Sequence, residues 1–176
     1  VKYCCVLANY KLGYLSDDIY PHIAASARSV WEGEFSAGDC PAALQGGAGT
    51  STNMFINELI ANKALRRMGK PCGSYGIISP LNHINLHQST NDTYPTSLRI
   101  AAILACAELE QAVSGLADAF QRKERQFADI VRLARTELMD AVAITLGQNF
   151  GAWAEAFTKD RWRIYKCTER LRVVNL

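Results

Sequence analysis

No uncharged apolar run in this sequence exceeds the eight residues from Ile100 to Ala107, and a bilayer-spanning helix needs roughly 20. A membrane partner is therefore not expected, and the chain reads as soluble. An excess of one charge is also lacking. Nineteen basic against seventeen acidic side chains leave a net charge of +2, which gives no electrostatic footprint for nucleic acid or an anionic surface. None of the six cysteines forms a Cys-x-x-Cys pair, so a disulfide scaffold has little support. Cys4 and Cys106 fall in apolar helical patterns, as small core residues would. No basic stretch followed by an apolar run and a cleavage site opens the sequence, and with this cysteine usage a reducing cytoplasm is expected. Repeats of fixed period and low-complexity tracts are absent as well. The chain starts with Val1 inside an amphipathic pattern, and Leu171, Val173, Val174 and Leu176 run apolar to the end without Gly or Pro. A segment of a longer protein is expected from these ends.

Hydrophobic residues make up 49% and charged residues 20% of the chain, a globular balance that excludes intrinsic disorder. Cys5, Leu7, Ala8 and Leu12, with Gly13 behind them, read as the last turns of a helix. Ser16 with Asp17 and Asp18 reads as the start of a second helix, whose apolar face is Ile19, Ile23, Ala27 and Val30. Thr52 or Asn53 is a candidate cap for a third, which carries Ile56, Leu59, Ile60, Ala64 and Leu65 and stops at Gly69 before Pro71. Residues 70–94 look irregular. Pro95 then suits the first turn of a long helix bearing Leu98, Ala101, Ala105, Leu109, Val113, Leu116 and Phe120. Its first half is apolar all round, so neighbours must surround it. Val131 to Thr145 lacks a helical period and reads as extended or irregular, and another long helix is expected from Leu146 to Leu171. Stripes wider than one partner can cover imply a bundle completed by other chains.

Three polar stretches could hold chemistry. Gln45-Gly46-Gly47-Ala48-Gly49-Thr50-Ser51-Thr52-Asn53 precedes a helix, where glycines admit a ligand close to the backbone and free N–H groups favour an anion. It lacks both the P-loop ending and the third glycine of a dinucleotide fingerprint. Asn85 to Thr96 leads into the long helix, and from Gln88 to Thr93 every side chain except Asp92 is a hydroxyl or an amide. Neutral donors of this kind suit a carboxylate. The third stretch, Arg135 to Gln148, decides nothing by its pattern alone. Each also has an ordinary reading as a capped loop, a polar surface turn or the beginning of a helix. His83 and His87 stand four apart, but no Glu or Cys completes a recognised spacing, so no metal site is assigned.

Taken together, the three stretches resemble the aspartase/fumarase superfamily. Gly47-Ala48-Gly49-Thr50-Ser51-Thr52-Asn53-Met54, with Asn57-Glu58 and Ala61-Asn62, is similar to the aspartase form of the first family region. Gln88-Ser89-Thr90-Asn91-Asp92 with Tyr94-Pro95-Thr96 is similar to the second. Thr136, Leu138, Asp140-Ala141-Val142 and Thr145-Leu146-Gly147-Gln148 are similar to the segment that opens the central helices. The resemblance implies a mainly α fold, with residues 1–84 part of an N-terminal helical domain and 85–176 the start of a central helix bundle. It also implies a homotetramer whose active sites each draw on three subunits, acting on a small dicarboxylate without metal or other cofactor.

By the same resemblance the reaction is a reversible elimination, most plainly L-aspartate to fumarate and ammonia through an aci-carboxylate intermediate. Thr50, Ser89 and Thr90 match positions that hold the β-carboxylate, Asn91 an amino-group contact, and Thr136 the α-carboxylate contact. Glu137 stands where fumarases and some aspartases carry His, and is expected to pair with the substrate ammonium. Ser79 replaces a His near the second anion site of fumarases. Ala143 replaces a common Pro, with no functional account. The family's serine base belongs to a loop expected beyond Leu176, so the isolated chain is expected to be inactive. The alternatives are a class II fumarase hydrating fumarate to malate, and a catalytically dead helical fragment that binds anions.

Overall fold

The computed structural model describes residues 1–36, 38, 40–42, 44 and 47–174. Gln45 and Gly46 of the first polar stretch, and Leu176 of the apolar end, lie outside the described residues. Two compact units divide the chain, one built on Val1–Leu98 and the other on Arg99–Val173.

In the first unit, α1 (Lys2–Lys11), α2 (Tyr20–Trp31) and α3 (Thr50–Arg67) enclose a core of Val6, Leu15, Ile19, Ile23, Ile60, Leu65, Ile78 and Ile84. The rings of Tyr10 and Tyr20 stack with centroids 3.7 Å apart on its border. Contrary to the expectation from sequence, Ser16 does not cap the regular helix, whose N-cap is Ile19. Ser16 opens a preceding turn whose carbonyl receives the N–H groups of Ile19 and Tyr20 at 3.3 and 3.0 Å, and Pro21 then sits in the first helical turn. Neither Thr52 nor Asn53 caps α3. The residue before its first turn is Gly49, at φ 88°, a left-handed conformation that glycine adopts without a Cβ penalty. Both expected caps lie inside the helix.

Residues 70–94 are not wholly irregular. Pro80–Ile84 forms a π-helical turn capped by Ser79, whose Oγ accepts from the N–H groups of Leu81 and Asn82 at 3.2 and 3.1 Å. The long helix α4 begins at Thr90 and runs 37 residues to Gln126, so Pro95 lies inside it, beyond the first turn in which it was expected. The earlier start follows from Ser89 just before it: its Oγ accepts the Asn91 N–H at 3.1 Å, and Asp92 Oδ2 accepts the Ser89 N–H at 3.3 Å.

The second unit holds the rest of α4, the strands β1 (Val131–Thr136) and β2 (Met139–Thr145), and α5 (Leu146–Leu171). The segment read as extended is an antiparallel hairpin in which Val131 faces Thr145 and Thr136 faces Met139, with a register shift between Leu133 and Arg135. A full capping box starts α5: Gln148 N–H donates to Thr145 Oγ1 at 3.1 Å, and Thr145 N–H donates to Gln148 Oε1 at 2.8 Å. Phe120 packs on Phe150, Trp153 and Phe157 with centroids 5.2–5.8 Å apart. A Cβ on Gly147 would lie 2.6 Å from the Glu124 carbonyl, so only glycine admits this approach of α5 to the end of α4.

One expectation needs correction here. Cys4 is exposed and Cys106 half-buried, so neither is a core residue of this chain. By length and composition alone, α4 is long and apolar enough to cross a membrane. The short uncharged run hides this because Glu108 and Glu110 interrupt the sequence without ending the helix. Leu98, Leu104 and Leu109 on α4 are each more than half exposed.

Candidate active site

The first two polar stretches meet in the first unit. Gly49 ends the 47–49 turn, in which Gly47, Ala48 and Gly49 take φ values of 85°, 48° and 88°. Gly49 is buried so tightly that a Cβ would lie 2.3 Å from the Tyr94 ring, which fixes the start of α3 against the first turns of α4. Asn53 makes the polar connection. Its Nδ2 donates to Thr90 Oγ1 at 3.0 Å and to Asn85 Oδ1 at 3.2 Å, and its Oδ1 accepts from Thr93 Oγ1 at 3.3 Å. Asn53 and Thr93 are both buried, so this connection is shielded from competing water.

These bonds decide what the expected ligand residues can offer. A hydroxyl has one proton to give and two lone pairs. Thr90 Oγ1 receives the Asn53 amide and Ser89 Oγ receives the Asn91 N–H, and among the described residues neither hydroxyl donates to a protein acceptor. Both protons remain for a ligand oxygen. Thr50, Ser89 and Asn91 are exposed, and Thr90 is half-buried. Thr50 is the first residue of α3, its N–H closing a turn on the Gly47 carbonyl at 2.9 Å.

Behind this surface lies a layer of amides to which the sequence reading gave no role in holding the hydroxyls. Asn85 Oδ1 accepts from Lys2 Nζ at 2.9 Å, Asn53 at 3.2 Å and Asn57 at 3.1 Å. Gln88 Oε1 accepts a second Lys2 bond at 2.9 Å. One signal was available. Asn53 and Asn57 stand four apart and continue into Ile60, Ala61 and Ala64, which places both amides on the buried face of α3.

The two histidines are engaged separately. His83 Nδ1 accepts the Ser79 N–H at 2.9 Å, and burial holds its pKa below the ordinary imidazole value. His87, at φ 59°, places Nδ1 3.1 Å from Asn9 Oδ1 and meets the edge of the Tyr14 ring.

Thr136 and Glu137 belong to the second unit, where they end β1 and begin the hairpin turn. Glu137 and Leu138 take φ values of 49° and 65°, the pair of left-handed conformations that a two-residue type I′ turn demands and that Asn-Gly normally supplies. Arg135 braces the turn by donating from Nη2 to the Leu138 carbonyl at 3.0 Å and pairing from Nη1 with Asp140 at 3.3 Å. Thr136, Glu137 and Leu138 are all exposed. Two surface hollows on the second unit, one beside Trp162 and the other beside Phe120, touch none of the candidate residues.

A family model described as lyase matches residues 5–176. The chain is 39% identical over 176 residues to an aspartate ammonia-lyase of Bacillus sp, covering 100% of this chain and 38% of that protein. It is 44% identical over 155 residues to a class II fumarate hydratase of Thermus aquaticus, covering 88% of this chain and 33% of the relative. The crystal structure of fumarate lyase:delta crystallin from Brucella melitensis in native form superposes with a TM-score of 0.94 and 42% identity, over 99% of this chain and 41% of that one. The chain thus spans well under half the length of these relatives.

Proposed function

The chain belongs to the lyase family, and we propose that the protein of which it forms part removes ammonia from L-aspartate to give fumarate. One observation carries this reading: Asn53 of α3 donates to Thr90 Oγ1 at 3.0 Å and so joins the 47–53 and 88–93 stretches, with the Ser89 and Thr90 protons unspent. Removing a proton from the carbon beside a carboxylate drives an electron pair onto that carboxylate, and the resulting aci-carboxylate needs donors already in place. One such donor is worth about 3 kcal/mol in the transition state. Thr50, Ser89 and Thr90 hold this carboxylate, Asn91 contacts the amino group, and Thr136 receives the other carboxylate. Glu137 faces the ammonium and favours an amine as leaving group. The base is the serine of a loop outside this chain. Other copies cover the apolar face of α4 in a homotetramer.

The 44% identity to the Thermus aquaticus fumarate hydratase favours a second reading as a class II fumarase. Against it stand Ala48 and Ser51 in the first stretch, Glu137 in place of His, and Ser79, whose Oγ caps the π-helical turn. Ultraviolet absorbance of fumarate, followed with the full-length protein on L-aspartate and separately on malate, decides between them. Formation of fumarate from aspartate alone supports the first reading. Formation from malate alone overturns it.

A further inference from the structure

We propose that Lys2 is a positioning residue for the carboxylate site, its ammonium gripping the side-chain oxygens of Asn85 and Gln88 and thereby setting the segment that aims Ser89 and Thr90. The inference rests on the reading of those two hydroxyls as carboxylate donors. Lys2 is the first residue of α1, far from the site in sequence, yet its Nζ lies 2.9 Å from both Asn85 Oδ1 and Gln88 Oε1. The 84–88 backbone is held by the same two side chains. Asn85 Nδ2 donates to the Gln88 carbonyl at 3.0 Å, while Gln88 Nε2 donates to the carbonyls of Ile84 and Leu86 at 2.8 and 3.2 Å. Ser89 follows directly. On its other side Asn85 Oδ1 receives Asn53, the residue that also holds Thr90. A single ammonium therefore anchors both the loop before α4 and the amide behind its first hydroxyl.

The choice of partners also matters. Among the described residues Lys2 bonds to neutral amide oxygens and to no carboxylate, so its charge is not cancelled locally. Burial without a counter-charge lowers its pKa to about 8, with Cys5 on the same helix opposing the shift. His87, on the loop that Lys2 grips, is engaged with Asn9. A positive charge kept behind a turn of hydroxyl donors biases that turn towards a dianion, and a carboxylate partner would have removed the bias. Removing the ammonium leaves Gln88 Oε1 without its protein donor and takes one of three donors from Asn85 Oδ1, which keeps Asn53 and Asn57.

The test uses the full-length protein as wild type, Lys2→Met, Lys2→Gln and Lys2→Arg, with succinate as an unreactive dicarboxylate probe. Calorimetry is expected to show succinate binding weakened about 10-fold in the Met and Gln variants, a loss of about 1.4 kcal/mol. Their kcat/KM for aspartate falls about 100-fold, the effect of misplacing a site from outside it. Lys2→Arg retains most of both. If Lys2→Met does not fold, Gln against Arg carries the comparison. Folded neutral variants with wild-type succinate affinity, even with a lowered Tm, overturn the proposal, because a merely structural lysine would behave that way. A wild type that binds succinate but turns over neither aspartate nor malate overturns the proposed reaction and leaves Lys2 to be judged by the binding arm. A wild type that binds no succinate overturns both.

Discussion

Gly49→Ala perturbs the joint between the two helix starts at its tightest point. The added Cβ would lie 2.3 Å from Tyr94 Cδ1 and 2.4 Å from Cγ, where carbon pairs settle near 3.5–4.0 Å, so the ring must retreat by about 1 Å or more. Two costs add: about 1–2 kcal/mol for a Cβ at positive φ and about 1–3 kcal/mol for overpacking. Gly13→Ala is the control, because Gly13 has φ +80° with nothing within 4 Å of its Cβ position, and it bears the first cost alone. Urea denaturation of the full-length protein is expected to rank wild type above Gly13→Ala and Gly13→Ala above Gly49→Ala. Tyr94 lies one turn beyond Thr90, so moving its ring pulls Thr90 away from Asn53, and kcat/KM for aspartate is expected to fall about 100-fold in Gly49→Ala alone. Adding Tyr94→Ala removes the clashing ring, and the double variant should be more stable than the two single losses predict. Equal stability of the two glycine variants, or strict additivity with Tyr94→Ala, refutes the contact as the joint.

Leu138→Gly should stabilise the protein by about 1 kcal/mol in urea denaturation, since it relieves a branched residue at φ 65°. Leu138 is 94% exposed and has little packing to lose. Glu137→Gln should lower kcat/KM for aspartate and leave any activity on malate unaffected, and unchanged aspartate kinetics would remove Glu137 from the ammonium site. The depressed pKa of Lys2 sets a pH dependence. Between its folded value of about 8 and its ordinary 10.5 the unfolded chain holds the extra proton, so stability rises with pH across this window and that gain is lost as pH falls through 8. Lys2 is partly exposed, so the slope is shallow. It is read as the difference between wild type and Lys2→Met, which also separates it from Cys5, whose raised pKa works in the opposite sense.

What the sequence disclosed depended on how local the determining interaction was. The α5 bounds were readable because Thr145 and Gln148 form a capping box within one turn and an apolar stripe follows. The start of α4 had an equally local signature in Ser89 and Asp92, but Pro95, so common in a first turn, points to a start several residues later. The hairpin was hidden because Val131, Leu133, Met139 and Val142 are all exposed, so no apolar inward face marks the strands, and Glu-Leu is not a turn signature. Asn53 looked like a cap because asparagine favours that position, whereas Gly49 does the work and frees Asn53 to turn inward. The residues expected to meet the ligand, Thr50, Ser89 and Asn91, were legible as motifs, and they are the exposed ones. The groups behind Thr90 and the 84–88 segment, Lys2, Asn53, Asn57, Asn85 and Gln88, come from parts of the chain that only tertiary contact brings together, through bonds spanning up to 86 positions. The Ser89 lone pair is taken by the N–H of Asn91 two residues on, whereas that of Thr90 is taken by buried Asn53. The Thr90 hydroxyl is therefore set from behind, by an amide 37 positions away in the chain.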